Sequence, residues 1–173
     1  MQPEEKLHFT SILEVSNNKL WGAHFTVPDI IARVFVSNDA RRVVCVLNDV
    51  VEYQCALLPK GDGSFLITVN KKTRDALRLK PGSPLRVSLR RDDSEYGLPM
   101  PEELAEVLAQ DEEGNRLFHA LTPGKQRTLL YIVGNVKNTD TRLRRAIAIV
   151  DHLKQNGGKI DYKKLNIDLR ERP

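Results

Sequence analysis

In the first half of the chain, apolar residues come in short β-branched runs or alternate with polar ones. In the second half they recur every three or four residues. The first pattern suits strands and the second suits amphipathic helices. Leu7 to Val15, anchored by Phe9, Ile12, Leu13 and Val15, and Ala23 to Val27 read as strands. Pro28-Asp29 opens a short helix over Ile30 to Val36, because proline fits a first helical turn, and Asn38 and Asp39 can end it. Val43 to Leu47 and Val50 to Cys55 flank Asn48-Asp49, the signature of a hairpin with a two-residue turn. That register sets Leu47 opposite Val50, Cys45 opposite Glu52 and Cys55 opposite Arg42. It puts Val44, Val46, Val51, Tyr53 and Cys55 on the core face. The two cysteines then point to opposite faces, so no disulfide between them is expected.

Gly61 and Gly63 read as a turn before the strand Phe65 to Val69, since their spacing matches no phosphate-loop pattern. Asn70 caps a short helix, Lys71 to Leu77, with Thr73, Ala76 and Leu77 on one side. After Pro81-Gly82, the segment Leu85 to Arg90 alternates with period two: Leu85, Val87 and Leu89 inward, Arg86, Ser88 and Arg90 outward. Short strands with small helices between them predict a compact, strongly bent sheet or small barrel.

Beyond Pro101 the elements are helical. Pro101 to Ala109 carries Leu104, Val107 and Leu108 on one stripe and acids in its first turn, where they suit the helix dipole. Gly114 sits in a short loop, and Asn115 to Ala120 forms a turn with Leu117 and Phe118. Thr122-Pro123 starts a longer helix whose face is Leu129, Ile132, Val133 and Val136. A second long helix, 139–155, presents Leu143, Ala146, Ile147, Val150 and Leu153 and stops at Gly157-Gly158. The two pack antiparallel. Lys159 to Pro173 reads as a polar, loosely held tail. The fold class is α+β: a barrel domain over 1–98 followed by a helical module over 99–173.

Charge supports that division. Residues 1–98 hold 14 basic and 12 acidic side chains, residues 99–115 hold six acids and no base, and residues 116–173 hold 13 bases and five acids. The acid block follows Ser94-Glu95-Tyr96-Gly97-Leu98-Pro99-Met100-Pro101, a stretch too rich in turn formers for regular structure. Among 173 residues, 40% are hydrophobic and 29% charged, as in a globular protein. No apolar run is long enough for a membrane span. The acidic N-terminus is unlike a secretory signal, and a cytoplasmic protein is expected. Two cysteines make no disulfide framework or zinc quartet, and no cofactor is implied.

The candidate chemistry lies at the start of the 139–155 helix. Arg142, Arg144 and Arg145 fall in its first turns, where cations oppose the helix dipole unless an anion offsets them. With Lys137 and the Thr141 hydroxyl they form a candidate anion or partner site. Lys125, Arg127, Lys60 and Trp21 are secondary candidates, Trp21 either capping the barrel or lining a groove. The competing expectation is internal: acids of 102–113 fold back on the cluster. His8, His24, His119 and His152 lie in separate segments without metal-ligand spacing and read as surface or cap residues. No nucleophile elbow or metal motif points to an enzyme, although a triad assembled from distant residues is not excluded by sequence. The basic C-terminal part and a pI of about 9.1 make nucleic acid a second candidate partner. Few aromatics are available there for base stacking.

The segment Leu117-Phe118-His119-Ala120-Leu121-Thr122-Pro123-Gly124-Lys125-Gln126-Arg127, with Asn135-Val136-Lys137-Asn138-Thr139-Asp140-Thr141-Arg142-Leu143-Arg144-Arg145, resembles the YdeI/OmpD-associated (bacteriocin-protection) family. Its members carry a Phe, Leu-Thr-Pro, a basic run, then Ala-Lys, two residues, Glu-Thr-Arg and a further Arg. Lys137, Thr141, Arg142 and Arg145 stand at the matching places. Asn135-Val136 replaces the small residues before the lysine, and Asp140 replaces the glutamate. Leu58-Pro59-Lys60-Gly61-Asp62-Gly63-Ser64-Phe65, Lys71-Lys72, Arg74, Leu77 and Leu79-Lys80-Pro81-Gly82-Ser83 resemble the uncharacterised β-barrel domain that often precedes this module. The resemblance implies a small bacterial protein tied to envelope stress and bacteriocin tolerance, with no established catalytic residues. The strand, capped helix, Pro-Gly, strand order also resembles AbrB-like DNA-binding domains. The function expected is a non-enzymatic binding or stress-tolerance module, and the alternative is a nucleic-acid-binding regulator.

Overall fold

Glycine and proline punctuate the N-terminal half so often that no strand there exceeds eight residues. The computed structural model describes residues 5–17, 21–36 and 40–171 of an α+β protein. The chain forms two units, Met1–Asp93 and Ser94–Pro173. In the first, β1 (Leu7–Ile12), β2 (Glu14–Val15), β3 (Ala23–Val27), α1 (Asp29–Phe35), β4 (Arg42–Leu47), β5 (Val51–Ala56), β6 (Leu58–Pro59), β7 (Phe65–Thr68), α2 (Lys71–Ala76) and β8 (Pro84–Arg91) follow in order. All ladders are antiparallel. They make two four-stranded sheets, β1-β8-β4-β5 and β2-β3-β7-β6.

One residue, Leu13, separates β1 from β2, and one residue, Leu57, separates β5 from β6. Each is buried to within 1% and held by backbone bonds. The Leu13 amide donates to the Ser83 carbonyl at 2.9 Å and its carbonyl accepts from Gly82 at 2.8 Å, while the Leu57 amide donates to Arg41 at 2.9 Å. The same stretch of chain therefore edges one sheet and then the other on both sides. The core between the sheets is Phe25, Val27, Val43, Cys45, Leu47, Ile67, Leu85, Val87 and Leu89, closed by Ala32 and Phe35 of α1. Asn70 caps α2 by accepting from the Thr73 amide at 2.8 Å, as its sequence predicts. Asn38 and Asp39 lie outside the described residues.

The central hairpin departs from its expected register. Asn48 and Asp49 do adopt φ values of 51° and 59°, and the Val50 amide donates to Leu47 at 3.0 Å. Val50 is nevertheless squeezed out, 73% exposed, and Leu47 pairs with Val51. A shift of one residue turns β4 over. Val43, Cys45 and Leu47 face the core in place of Val44 and Val46, while Tyr53 and Cys55 of β5 pack against it as expected. Cys45 now pairs with Tyr53 and Val43 with Cys55, so the two cysteines share a face. Both are free thiols. Their mutual hydrogen bond, reinforced by burial, pushes the Cys55 thiol well above the ordinary range.

The second unit is helical: α3 (Glu102–Gln110), α4 (Glu112–His119), α5 (Pro123–Gly134), α6 (Thr139–Gln155) and α7 (Tyr162–Glu171). Leu104, Leu108, Phe118, Leu129, Leu130, Val133, Ala146, Ile149, Val150, Leu153 and Leu165 form its core, with Tyr96, Leu98 and Met100 packed on it. Gly114 lies inside α4 and not in a loop, with the Asp111 carboxylate capping its amide at 2.8 Å. The same carboxylate meets Lys154 at 2.8 Å, and these two bonds hold its pKa below the usual range. The buried faces also differ from the predicted stripes. On α5 they are Gln126, Leu129, Leu130 and Val133, while Val136 falls beyond the helix. On α6, Leu143 and Ile147 are 40% and 38% exposed, and Ile149 takes the place expected for Ile147. Both series have helical spacing. Packing against α3 and α4 as well as α5 chooses between them.

The expected loose tail is a helix. Asp161 caps its start, accepting from the amides of Lys163 and Lys164 at 3.1 Å, and Leu165 is 1% exposed. His152, also 1% exposed, is a core residue and not a surface one. Its Nε2 accepts from the Asp161 amide at 3.1 Å, so Nδ1 carries the proton and donates to Asp168 at 3.0 Å. His24 is likewise buried, its Nδ1 donating to the Gly22 carbonyl at 3.0 Å.

A Cβ on Gly114 would collide with Val150 Cγ1 and sit 3.2 Å from the Asp111 carboxyl carbon. Gly114→Ala is expected to destabilise the second unit by about 1–2 kcal/mol in urea unfolding, overpacking outweighing the helix-propensity gain. A gain in stability would show that α4 and α6 are not in contact there.

Candidate functional site

The predicted cation cluster lies at a corner. Helix α5 ends at Gly134, four residues turn the chain, and α6 begins at Thr139. Asn138 is the residue that starts α6: its Oδ1 accepts from the Thr141 amide at 2.9 Å and from the Thr141 hydroxyl at 3.2 Å. The last carbonyls of any helix lack intrahelical partners and carry partial negative charge. Here guanidiniums meet them. Arg145 donates from Nη1 to the Ile132 carbonyl at 2.7 Å and to Asn135 Oδ1 at 2.9 Å. Arg142 donates from Nη2 to the Gly134 carbonyl at 3.3 Å. The cations that oppose the dipole of α6 thus complement that of α5.

Arg142 has a second partner, Glu103 on α3. Its Nη1 lies 3.7 Å from Glu103 Oε1, long for an ion pair, with the two side chains 30% and 12% exposed. Glu103 Oε2 and Arg142 Nε are buried without a hydrogen-bond partner. One acid of the 102–113 block therefore reaches the cluster, as the internal alternative expects; Asp111 is occupied instead with Lys154.

Beside this pair opens a cleft of about 600 Å³ lined by Leu98 to Glu103, Leu130, Tyr131, Gly134, Asn135, Thr139 and Arg142. Its walls are largely apolar, and Tyr131 is 62% exposed. Its charged lining is two carboxylates, Glu102 and Glu103, and one guanidinium, Arg142. The start of α6 at Thr139 adds partial positive charge.

The five predicted residues thus separate. Arg142 lines the cleft, Arg145 and Thr141 hold the corner together, and Arg144, exposed, donates to the Thr141 hydroxyl at 3.3 Å. Lys137 is exposed on the connecting turn, as is Lys125 on α5, with Arg127 half-buried. The other two candidates belong to the first unit. Lys60 donates to the Thr26 hydroxyl at 2.9 Å, and half-buried Trp21 stands edge-on to the His24 ring. The sequence reading missed Glu103 as an individual, Tyr131, Leu98, Met100 and the Asn138 cap. The cap was the legible one: an Asn three residues before Thr141. Tyr131 falls just outside the predicted stripe, so its exposure was also readable.

A second cleft, about 510 Å³, lies on the first unit by His8, Thr10, Arg86 and Ser88, with Arg86 paired to Asp49 at 3.1 Å. Among the described residues, no cluster of three or more His, Cys, Asp or Glu could hold a metal ion. No helix there is long and apolar enough to cross a membrane.

Arg145→Ala is expected to cost about 1–3 kcal/mol of unfolding free energy, since it strands a helix-terminal carbonyl from a charged donor. Arg144→Ala should stay within about 0.5 kcal/mol. Equal costs, read by chemical denaturation, would mean that the cluster is one solvated surface and not a corner brace.

Residues 98–156 match the family model described as bacteriocin-protection, YdeI or OmpD-associated, and residues 9–89 match a domain of unknown function, DUF1905. No curated protein and no solved structure matches the chain. The match over 98–156 spans the whole lining of the 600 Å³ cleft.

Proposed function

We propose that this YdeI/OmpD-associated module, carried behind a DUF1905 domain, is a non-enzymatic binding module of the bacteriocin-protection type whose cleft takes up an anionic group on Arg142. The observation that carries the reading is the cleft itself. A 600 Å³ concavity with apolar walls and a few convergent polar groups has the size and lining of a ligand site. Arg142 is the one cation of its lining, and its ion pair with Glu103 is long and leaves a guanidinium donor unused. A ligand's acidic group aligned on Arg142 would also face the positive end of α6. Lys137, Arg144 and Arg145 add positive charge around the same corner and steer an anion toward it. The partner is then an anionic ligand or a protein segment that presents one.

The first unit serves in this reading as a scaffold. Its two sheets are two halves of one small barrel, in which β1–β2 and β5–β6 are single strands bent at Leu13 and Leu57. The units act as separate domains in a cytoplasmic protein.

In a thermal unfolding assay, sulfate or acetate well above its dissociation constant should raise the second unit's melting temperature by a few degrees, about 2–3 kcal/mol at a hundredfold excess. Arg142→Ala should abolish the shift and Arg144→Ala should keep most of it. Absence of any shift with sulfate, phosphate or acetate would remove the reading. Retention of DNA at low salt, lost steeply as salt rises and insensitive to Arg142→Ala, would replace it with the nucleic-acid alternative.

A further inference from the structure

Resting on that reading, we infer that the ligand of the cleft is a zwitterion with an apolar side chain, of the class of a free hydrophobic α-amino acid. A purely anionic ligand is poorly matched to the lining, because Arg142 is outnumbered there by Glu102 and Glu103. An anion seated on Arg142 would also meet the carboxylate of Glu103, whose Oε1 lies 3.7 Å from Arg142 Nη1, with like charges repelling in a half-buried site. A ligand that brings its own ammonium removes the conflict: its carboxylate pairs with Arg142 and its ammonium with Glu103.

The spacing supports this. In an α-amino acid the ammonium nitrogen and a carboxylate oxygen are separated by about 3 Å, from ordinary N–Cα, Cα–C and C–O lengths. That span sits comfortably across a guanidinium and a carboxylate 3.7 Å apart, each receiving its opposite charge. Glu103 Oε2, buried and without a hydrogen-bond partner beside an ion pair of 3.7 Å, marks a carboxylate whose bonding is incomplete without a third group. The remaining walls suit the remaining part of such a molecule. Leu98, Met100, Leu130 and the exposed ring of Tyr131 offer thioether, aliphatic and aromatic surface to one apolar side chain.

Isothermal titration of the full chain with L-phenylalanine tests the inference against three altered probes: N-acetyl-L-phenylalanine, whose acylated nitrogen carries no charge; phenethylamine, which lacks the carboxylate; and glycine, which lacks the side chain. Each should bind at least about tenfold more weakly than phenylalanine, a loss of about 1.4 kcal/mol. Glu103→Gln, nearly isosteric, should erase the difference between phenylalanine and its acetylated form, with the affinity of the latter unchanged or higher. Tyr131→Ala, at an exposed position, should bring phenylalanine close to glycine. If N-acetyl-L-phenylalanine binds as tightly as phenylalanine, the zwitterion is wrong and the anion site stands. If none of the four binds while sulfate still stabilises the unit through Arg142, the inference falls alone. If sulfate also fails, the binding site falls with it.

Discussion

A helix that stops at a tight corner must satisfy its last carbonyls from outside itself, or leave them buried at a cost of about 1–3 kcal/mol each. At the corner between α5 and α6 four residues separate the helices, and the Asn135 amide caps the Tyr131 carbonyl at 2.9 Å, leaving those of Ile132 and Gly134 to other donors. The following helix supplies the donors. Arg145 and Arg142, one turn apart on α6, reach back to the Ile132 and Gly134 carbonyls. Each guanidinium sits unfavourably with respect to its own helix dipole and favourably with respect to its neighbour's. The corner can exist because the charges answer to α5.

That constraint also shapes the cleft. With Arg142 drawn toward Gly134, its free edge meets α3, where Glu103 stands in the first turn, and the proline-flanked stretch before α3 closes the opposite wall. The result is a cleft whose lining joins one guanidinium and two carboxylates to leucine, methionine, proline and tyrosine side chains. An ion pair this long stores unused hydrogen-bonding capacity, which is ordinarily costly and persists where something else completes it. In the N-terminal unit several polar side chains pair with one another, Lys60 with Thr26, Gln54 with Asp92 and Arg86 with Asp49, and buried leucines occupy the two strand bends.

Much of this was legible in the sequence, wherever one residue's own chemistry decides the outcome. Asn70 caps α2, Pro123 opens α5 although the Thr122 hydroxyl makes no cap bond, and the span of α6 follows from its spacing and the Gly157-Gly158 stop. The hairpin shows where local chemistry runs out. Asn48-Asp49 makes its left-handed turn, but one bulged valine decides which face of β4 is inside, and only packing against β8 settles that. On helix α6 the expected Ala146, Val150 and Leu153 are buried, but Leu143 and Ile147 at the edge of the predicted stripe are exposed and Ile149 is buried in their stead, a rotation of the face that neighbouring helices decide. The tail looked too polar to dock. Its anchors are one leucine and a buried histidine in the last turn of α6, a pairing no periodicity reveals. The predicted cations do not act as one cluster, since Arg142, Arg144 and Arg145 each find different partners: a basic run states charge, not which carbonyl or carboxylate each side chain will find.

The central claim, that these arginines are structural partners of α5 before they are anything else, is open to a direct measurement. Side-chain NMR at low temperature can follow the guanidinium Nη–H groups of Arg142, Arg144 and Arg145 in the full chain and read each one's exchange with solvent. The account requires slow exchange at Arg142 and Arg145 and fast exchange at Arg144. Three equally fast signals would place all three in water and leave the corner without its brace.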